Sequence, residues 1–391
     1  MKAVAFVVAI GAVAACNGDV SLPIKAECNP LGGNHCLTPW PSSAYEIADA
    51  TTMTGRHLAI PMGALPKNFE GDPSDPAMWN LADGFSPAAP IVLSMDSGFS
   101  VDGLPTLTDY DPSIAADSPT VILDMTTGER VPHFAEIDSQ ATELDQQALF
   151  LRPAMRLTSG HRYAVALTTA VKAADGNDLV IPAGFAALRD GKHTDNALLE
   201  AMRPRFGDVL TALSTAGYDA SNLVVAWDFT VASDDFLHRE MIATRDRTIA
   251  ALATHPIAYT ITVDQPIDDG MMIKRKIIGT LDAPLFLSNG GSVDPGTVMV
   301  RDADGLPTVQ GFYQIPFTAI VPACAYTSPT PVGMVMYGHG LLGDSTETAD
   351  SVQQTTAVEL CNVFVGTDMR GMSQNDTAAV GRALNELDRA D

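Results

Sequence analysis

Basic residues are scarce. Lys and Arg number 23 against 47 Asp and Glu, which leaves a formal charge of −24. A chain of that sign offers no cationic face to a phosphate backbone, so nucleic acid is excluded as a partner. An anionic membrane surface does not attract it electrostatically either. Aromatic residues are few, at 6%. A sugar-stacking platform needs exposed rings; of Trp40, Trp79 and Trp227, the last alternates with apolar neighbours and reads as core. Beyond the N-terminus there is no apolar run long enough to span a bilayer. No internal repeat or low-complexity tract is present, and no Cys-x-x-Cys pair or His spacing suits zinc. No Gly-Lys-Ser/Thr follows a glycine-rich turn, which removes a phosphate loop. What remains is a chain of 391 residues, 46% hydrophobic, with 31 Gly and 26 Pro. At roughly 150 residues per domain it holds two or three domains, rich in turns and able to bury a sizeable core.

The N-terminus reads as an address. Lys2 precedes an apolar stretch, Ala3 to Val13, too short for a mature membrane helix. Val13-Ala14-Ala15-Cys16 follows and resembles a bacterial lipobox. The resemblance implies a signal peptide over 1–15, cleavage before Cys16 and lipidation of Cys16, with a linker to residue 40. Asn17 is not the Asp that retains lipoproteins at the inner membrane, so the expected place is the cell envelope, anchored by lipid to the outer membrane. The mature chain would sit on a membrane without crossing it. Setting Cys16 aside leaves Cys28, Cys36, Cys324 and Cys361, an even number in an oxidising compartment. Four cysteines allow three pairings, and the sequence leaves them open.

Residues 41–330 read as a β-rich region. Short alternating runs such as Ala89–Leu93, Thr120–Asp124, Tyr163–Thr169 and Leu223–Thr230 lie between Gly, Pro and Asp turns. Leu151 through Tyr163 resembles strand pairs of Ig-like modules, so a β-sandwich with inserted helices is expected. Leu198, Leu199, Met202, Phe206, Val209, Leu210 and Leu213 take helical spacing within 196–216, with Pro204 expected to bend or restart that helix. A second helix is expected over 234–253, capped by Ser233. From Pro331 the pattern changes. Val332–Tyr337 is a continuous apolar run, as of a strand buried on both faces. A glycine-rich loop, a helix near 347–360, a second apolar run Val363–Thr367 and a helix from Thr377 to about Arg389 follow, in the order of a parallel α/β sheet.

Gly338-His339-Gly340-Leu341-Leu342-Gly343 after a strand has a chemical use, because glycines let a backbone N–H approach and face a ligand. Together with Gly366-Thr367-Asp368-Met369-Arg370-Gly371-Met372-Ser373 it resembles the α/β-hydrolase family, more narrowly bacterial lipoproteins of the virulence-factor-lipase type. The resemblance implies an oxyanion-hole loop after the third strand, formed here by Gly338, His339, Gly340, Leu341 and Leu342. It also implies a later Gly-x-Ser-x-Gly elbow, an acid and a histidine, and this sequence contains no Gly-x-Ser-x-Gly. Ser373 has no base or orienting group placed after it, and His339 serves the loop's shape, so neither is read as catalytic. Asp302-Ala303-Asp304-Gly305 and the Asp72/Asp75 segment read as turns rather than calcium loops.

The fold expected is therefore mixed: a β-rich N-terminal region, then over 331–391 the truncated start of an α/β-hydrolase sheet. The expected function is the N-terminal part of a lipid-anchored serine hydrolase of carboxylic esters, without a complete triad, needing no cofactor or metal. Its partners would be a lipid or other ester substrate, once the domain is completed, and the membrane through the anchor. The rival is a non-catalytic surface lipoprotein whose β-rich region binds a ligand or partner.

Overall fold

The computed structural model describes residues 20–386 except 33, 34, 69, 268, 269 and 271; the expected signal peptide, Cys16 and the expected end of the final helix near residue 389 lie outside them. The class is mixed and β-rich, with several small sheets and a few helices. No helix of the described residues is long and apolar enough to cross a membrane. The chain divides into two compact units: one ends at Leu65 and resumes over Pro76–Asp234, the other holds Pro66–Asp75 and everything from Asp235.

In the first unit, β1 (Glu46–Ala48) pairs with β2 (Arg56–Leu58). Two three-stranded antiparallel sheets follow. One orders β3 (Ile91–Ser94), β6 (Ala148–Pro153) and β5 (His133–Ile137). The other orders β4 (Thr120–Asp124), β7 (Arg162–Thr168) and β8 (Leu223–Thr230). Every residue of β8 is buried. Its alternation therefore does not mark a wet face: both sides of this strand are packed. Helix α1 (Ala183–Arg189) precedes α2 (Ala197–Thr215). α2 buries Leu199, Met202, Phe206, Val209 and Leu213, the three-and-four spacing of one helical stripe. Asn196 caps it, accepting from the Leu199 N–H at 2.9 Å. The helix does not restart at Pro204 but continues through it. Met202 and Phe206, buried on either side of the proline, hold it against the sheet.

Asp228 on the buried strand is satisfied by charge. Its Oδ2 accepts from Arg162 Nε at 2.6 Å and Arg205 Nε at 2.7 Å, while Ser43 donates to Oδ1 at 2.7 Å. Arg205 also donates to Glu46 Oε2 at 2.7 Å, and Glu46 accepts from the Thr230 N–H at 2.6 Å. Two buried carboxylates thus sit among guanidinium groups, with their lone pairs used.

The second unit begins with α3, which runs Asp234–Thr254 from the unit boundary and buries no side chain. Its sheet has five strands in the order β12-β13-β11-β10-β9: β9 (Tyr259–Pro266), β10 (Ile273–Leu285), β11 (Gly311–Pro322), β12 (Met334–Tyr337) and β13 (Val363–Thr367). Two corrections follow. The apolar runs beyond residue 331 do not start a sheet of their own; they join strands at 259–322, so a boundary at 330 cuts through one sheet. Nor is the sheet purely parallel: β12 and β13 are parallel, and β11 joins β13 antiparallel. The strand order is decided by pairing partners far apart in sequence, which local periodicity does not report.

β12 is also not buried on both faces. Met334 and Met336 are 73% and 74% exposed, because alternate side chains point to opposite faces and only Val335 and Tyr337 face a covering layer. That layer centres on Ala357 and Val358 of α4 (Ser351–Leu360), packed with Ile273, Ile320 and Phe364. Helix α5 (Thr377–Glu386) closes the described chain. Each unit holds one disulfide, Cys28–Cys36 in the first and Cys324–Cys361 in the second.

Candidate functional site

The loop after β12 is held from three sides. His339 is 7% exposed and both ring nitrogens are engaged: Nε2 accepts from the Met369 N–H at 2.9 Å, which leaves the proton on Nδ1 to donate to Gly340 O at 2.7 Å. The imidazole is thus a brace between the loops after β12 and β13, with no nitrogen left to act as a base. The Gly340 N–H donates to Glu347 Oε2 at 2.9 Å, the Leu342 N–H to Met372 O at 2.8 Å, and the Gly343 N–H back to Gly340 O at 2.9 Å. The Leu341 N–H makes no hydrogen bond among the described residues, and Leu341 is 74% exposed. Leu342 takes a φ of 60°, which turns the chain sharply after that free donor. At Gly343 an added Cβ would lie 1.8 Å from Glu347 Oε1, so a side chain there would displace the carboxylate that braces Gly340. Asp344 then caps the following turn, and the Thr346 hydroxyl and N–H that it accepts hold its carboxyl below the usual range.

The loop after β13 runs beside it. Gly343 and Ser373 form a parallel bridge, and the Gln374 N–H donates to Gly343 O at 2.8 Å. Ser373 is buried and its hydroxyl donates to Asp376 Oδ2 at 2.7 Å. The same oxygen accepts the Ser373 N–H at 3.0 Å and the Gly371 N–H at 2.9 Å, and Arg370 lies 3.2 Å from Asp376 Oδ1. This is a capped turn. The partner of the serine hydroxyl is a carboxylate, not an imidazole.

On the cavity side of this loop lies a pocket of about 330 Å³. The end of the β10–β11 hairpin builds its apolar wall, with Leu285, Tyr313 and Ile315, and the returning chain adds Phe286, Leu287 and Met299. Asp368, Arg370, Ser373 and Asn375 form the opposite, polar edge. The pocket therefore opens at the carboxyl end of β13, the usual place for a ligand in a sheet with parallel strands. Sequence reading singled out the glycine loop and missed this pocket. Its apolar wall comes from residues that carry no motif.

The remaining candidates resolve locally. Asp302 Oδ1 accepts the N–H groups of Asp304 and Leu306 at 2.9 and 3.0 Å, and Oδ2 pairs with Arg247, so the segment is a turn. No group of three or more His, Cys, Asp or Glu that could hold a metal occurs among the described residues. Trp227 is fully buried and donates to Pro41 O at 2.8 Å; Trp79 is half exposed. No protein-family model matches the chain, and no curated protein matches it significantly.

Proposed function

We propose that the second unit is the N-terminal half of an α/β-hydrolase-type sheet and that the chain contributes to hydrolysis of carboxylic esters, one oxyanion-hole donor being the Leu341 N–H. The observation that carries this reading is the uncommitted donor at Leu341, presented on a braced glycine loop. An oxyanion hole needs a donor that does not reorganise during reaction, and His339 and Glu347 fix the loop around it. In chain order the strand before Gly338 is the fourth of the sheet; with the edge strand Tyr259–Pro266 set aside it is the third, where the resemblance puts such a loop. Nucleophile, acid and base would come from outside these 391 residues, which contain no Gly-x-Ser-x-Gly. For the first unit, two antiparallel sheets support a sandwich that displays the hydrolase unit from a lipidated Cys16 in the cell envelope.

The test is p-nitrophenyl butyrate hydrolysis. These 391 residues alone should not turn it over. A chain continued through the downstream reading frame should do so, and Leu341→Pro in it should lower kcat by about 10²–10³ with KM little changed, the loss of one oxyanion donor. Turnover by the 391 residues that disappears in Ser373→Ala would overturn the reading, as would a downstream frame without a nucleophile elbow.

A further inference from the structure

The geometry points to the 330 Å³ pocket beside β13 as a binding site for an uncharged amphiphile with a short alkyl or acyl chain, one that rejects the corresponding free carboxylate. The site is not the oxyanion loop. None of the residues lining it comes from 338–343, and the segment 369–373 turns Met369 and Met372 toward that loop while Arg370 and Ser373 line the pocket. The inference therefore stands or falls separately from ester hydrolysis.

The chemistry of the ligand follows from the two walls. Leu285, Leu287, Tyr313 and Ile315 offer hydrocarbon and an aromatic ring, with Met299 at the rim, 38% exposed. A pocket of this volume is at the small end of the range of ligand sites, ~300–1,000 Å³, so a short chain fits and a long one does not. The polar edge sets the head group. Arg370 carries the one positive charge there, and it is already committed: it lies 3.2 Å from Asp376 Oδ1 and donates to Ser292 O. Among the described residues Asp368 has no cation of its own. Its Oδ1 accepts the Ser345 N–H at 2.8 Å and its Oδ2 the Asn375 amide at 3.4 Å. Two carboxylates therefore face one guanidinium, and an incoming carboxylate would meet an excess of negative charge within a chain of charge −24. An incoming cation would gain from the Asp368 carboxylate but meet the Arg370 guanidinium on the same edge. An uncharged oxygen acceptor meets neither conflict and can take the guanidinium and amide N–H groups left over.

The experiment compares three probes of one chain length, 1-hexanol, hexanoate and hexylammonium, by ligand-observed NMR titration of the full chain. Hexanol should bind at least 10-fold tighter than hexanoate and tighter than hexylammonium. Met299→Trp, which fills the pocket from its exposed rim, should weaken hexanol at least 5-fold. Asp368→Asn keeps an acceptor for the Ser345 N–H and should narrow the hexanol-to-hexanoate ratio at least 5-fold. Equal binding of hexanoate, tighter binding of hexylammonium, hexanol binding unmoved by Met299→Trp, or no binding of any probe would each overturn the assignment. Should either variant fail to fold, the probe ratio in the unmodified protein still decides.

Discussion

His133 shows how one side chain ties the first unit to pH. It is fully buried on β5, with Nε2 2.9 Å from the Thr120 hydroxyl and Nδ1 2.8 Å from Val131 O. Burial disfavours the charged imidazolium and depresses its pKa from the ordinary 6.5 to about 4. Between those values the unfolded chain holds the proton and the folded chain does not, so stability rises with pH across this window. The contribution is complete above the unfolded value and is lost as pH falls from 6.5 toward 4, amounting to about 3 kcal/mol. Urea unfolding at pH 7 and pH 4.5 should show that loss, and His133→Gln should flatten this part of the profile. An unchanged slope in the variant would assign the acid sensitivity elsewhere. Nothing in the sequence sets this histidine apart from the seven others, because burial is not encoded in its neighbours.

At the scale of elements, the glycines of the second unit differ in purpose although they look alike in sequence. Gly366 of β13 lies where an added Cβ would be 2.0 Å from the Thr348 hydroxyl, on the chain that covers the sheet. Thr348 is fully buried and its hydroxyl has no hydrogen-bond partner, so nothing polar draws it aside. Gly366→Ala should therefore push the 345–349 turn off the strand and cost ~1–3 kcal/mol, as overpacking does. Gly340 has only Glu347 oxygens at 3.7 and 3.8 Å from such a Cβ, and Gly340→Ala should stay within about 0.5 kcal/mol. Equal midpoints for the two variants in urea would contradict this contrast. The glycine-rich run was legible as a loop; which glycines face a second layer was not, because Thr348 and Glu347 reach them through the fold.

Across the whole molecule, the two disulfides divide between the two units. Cys28 and Cys36 are 8 residues apart, Cys324 and Cys361 are 37 apart. Cross-linking removes more freedom from the unfolded chain when the loop is longer, so loop lengths of this order correspond to ~2–3 and ~3–4 kcal/mol. Reductant should therefore destabilise the second unit more than the first. Hydrogen exchange should report it, with peptides from β10 and β13 losing more protection than peptides from β7 and β8. Equal losses would mean that the second unit is held by its sheet alone.

Some of this was determined by the sequence. Thr120–Asp124 and Leu223–Thr230 are strands with the bounds their apolar runs suggest, and α2 follows the spacing of Leu199 through Leu213. These are local signals, carried by side-chain period over a few turns or a few pleats. Tertiary structure decided the rest. It chose one of three cysteine pairings, drew 259–322 into the sheet of β12 and β13, and left β12 at its edge. It also brought Leu285 and Tyr313 to the same pocket as Asp368 and Arg370. Strand registers between distant segments set those meetings, and a register is a property of two strands together, which neither one's local pattern contains.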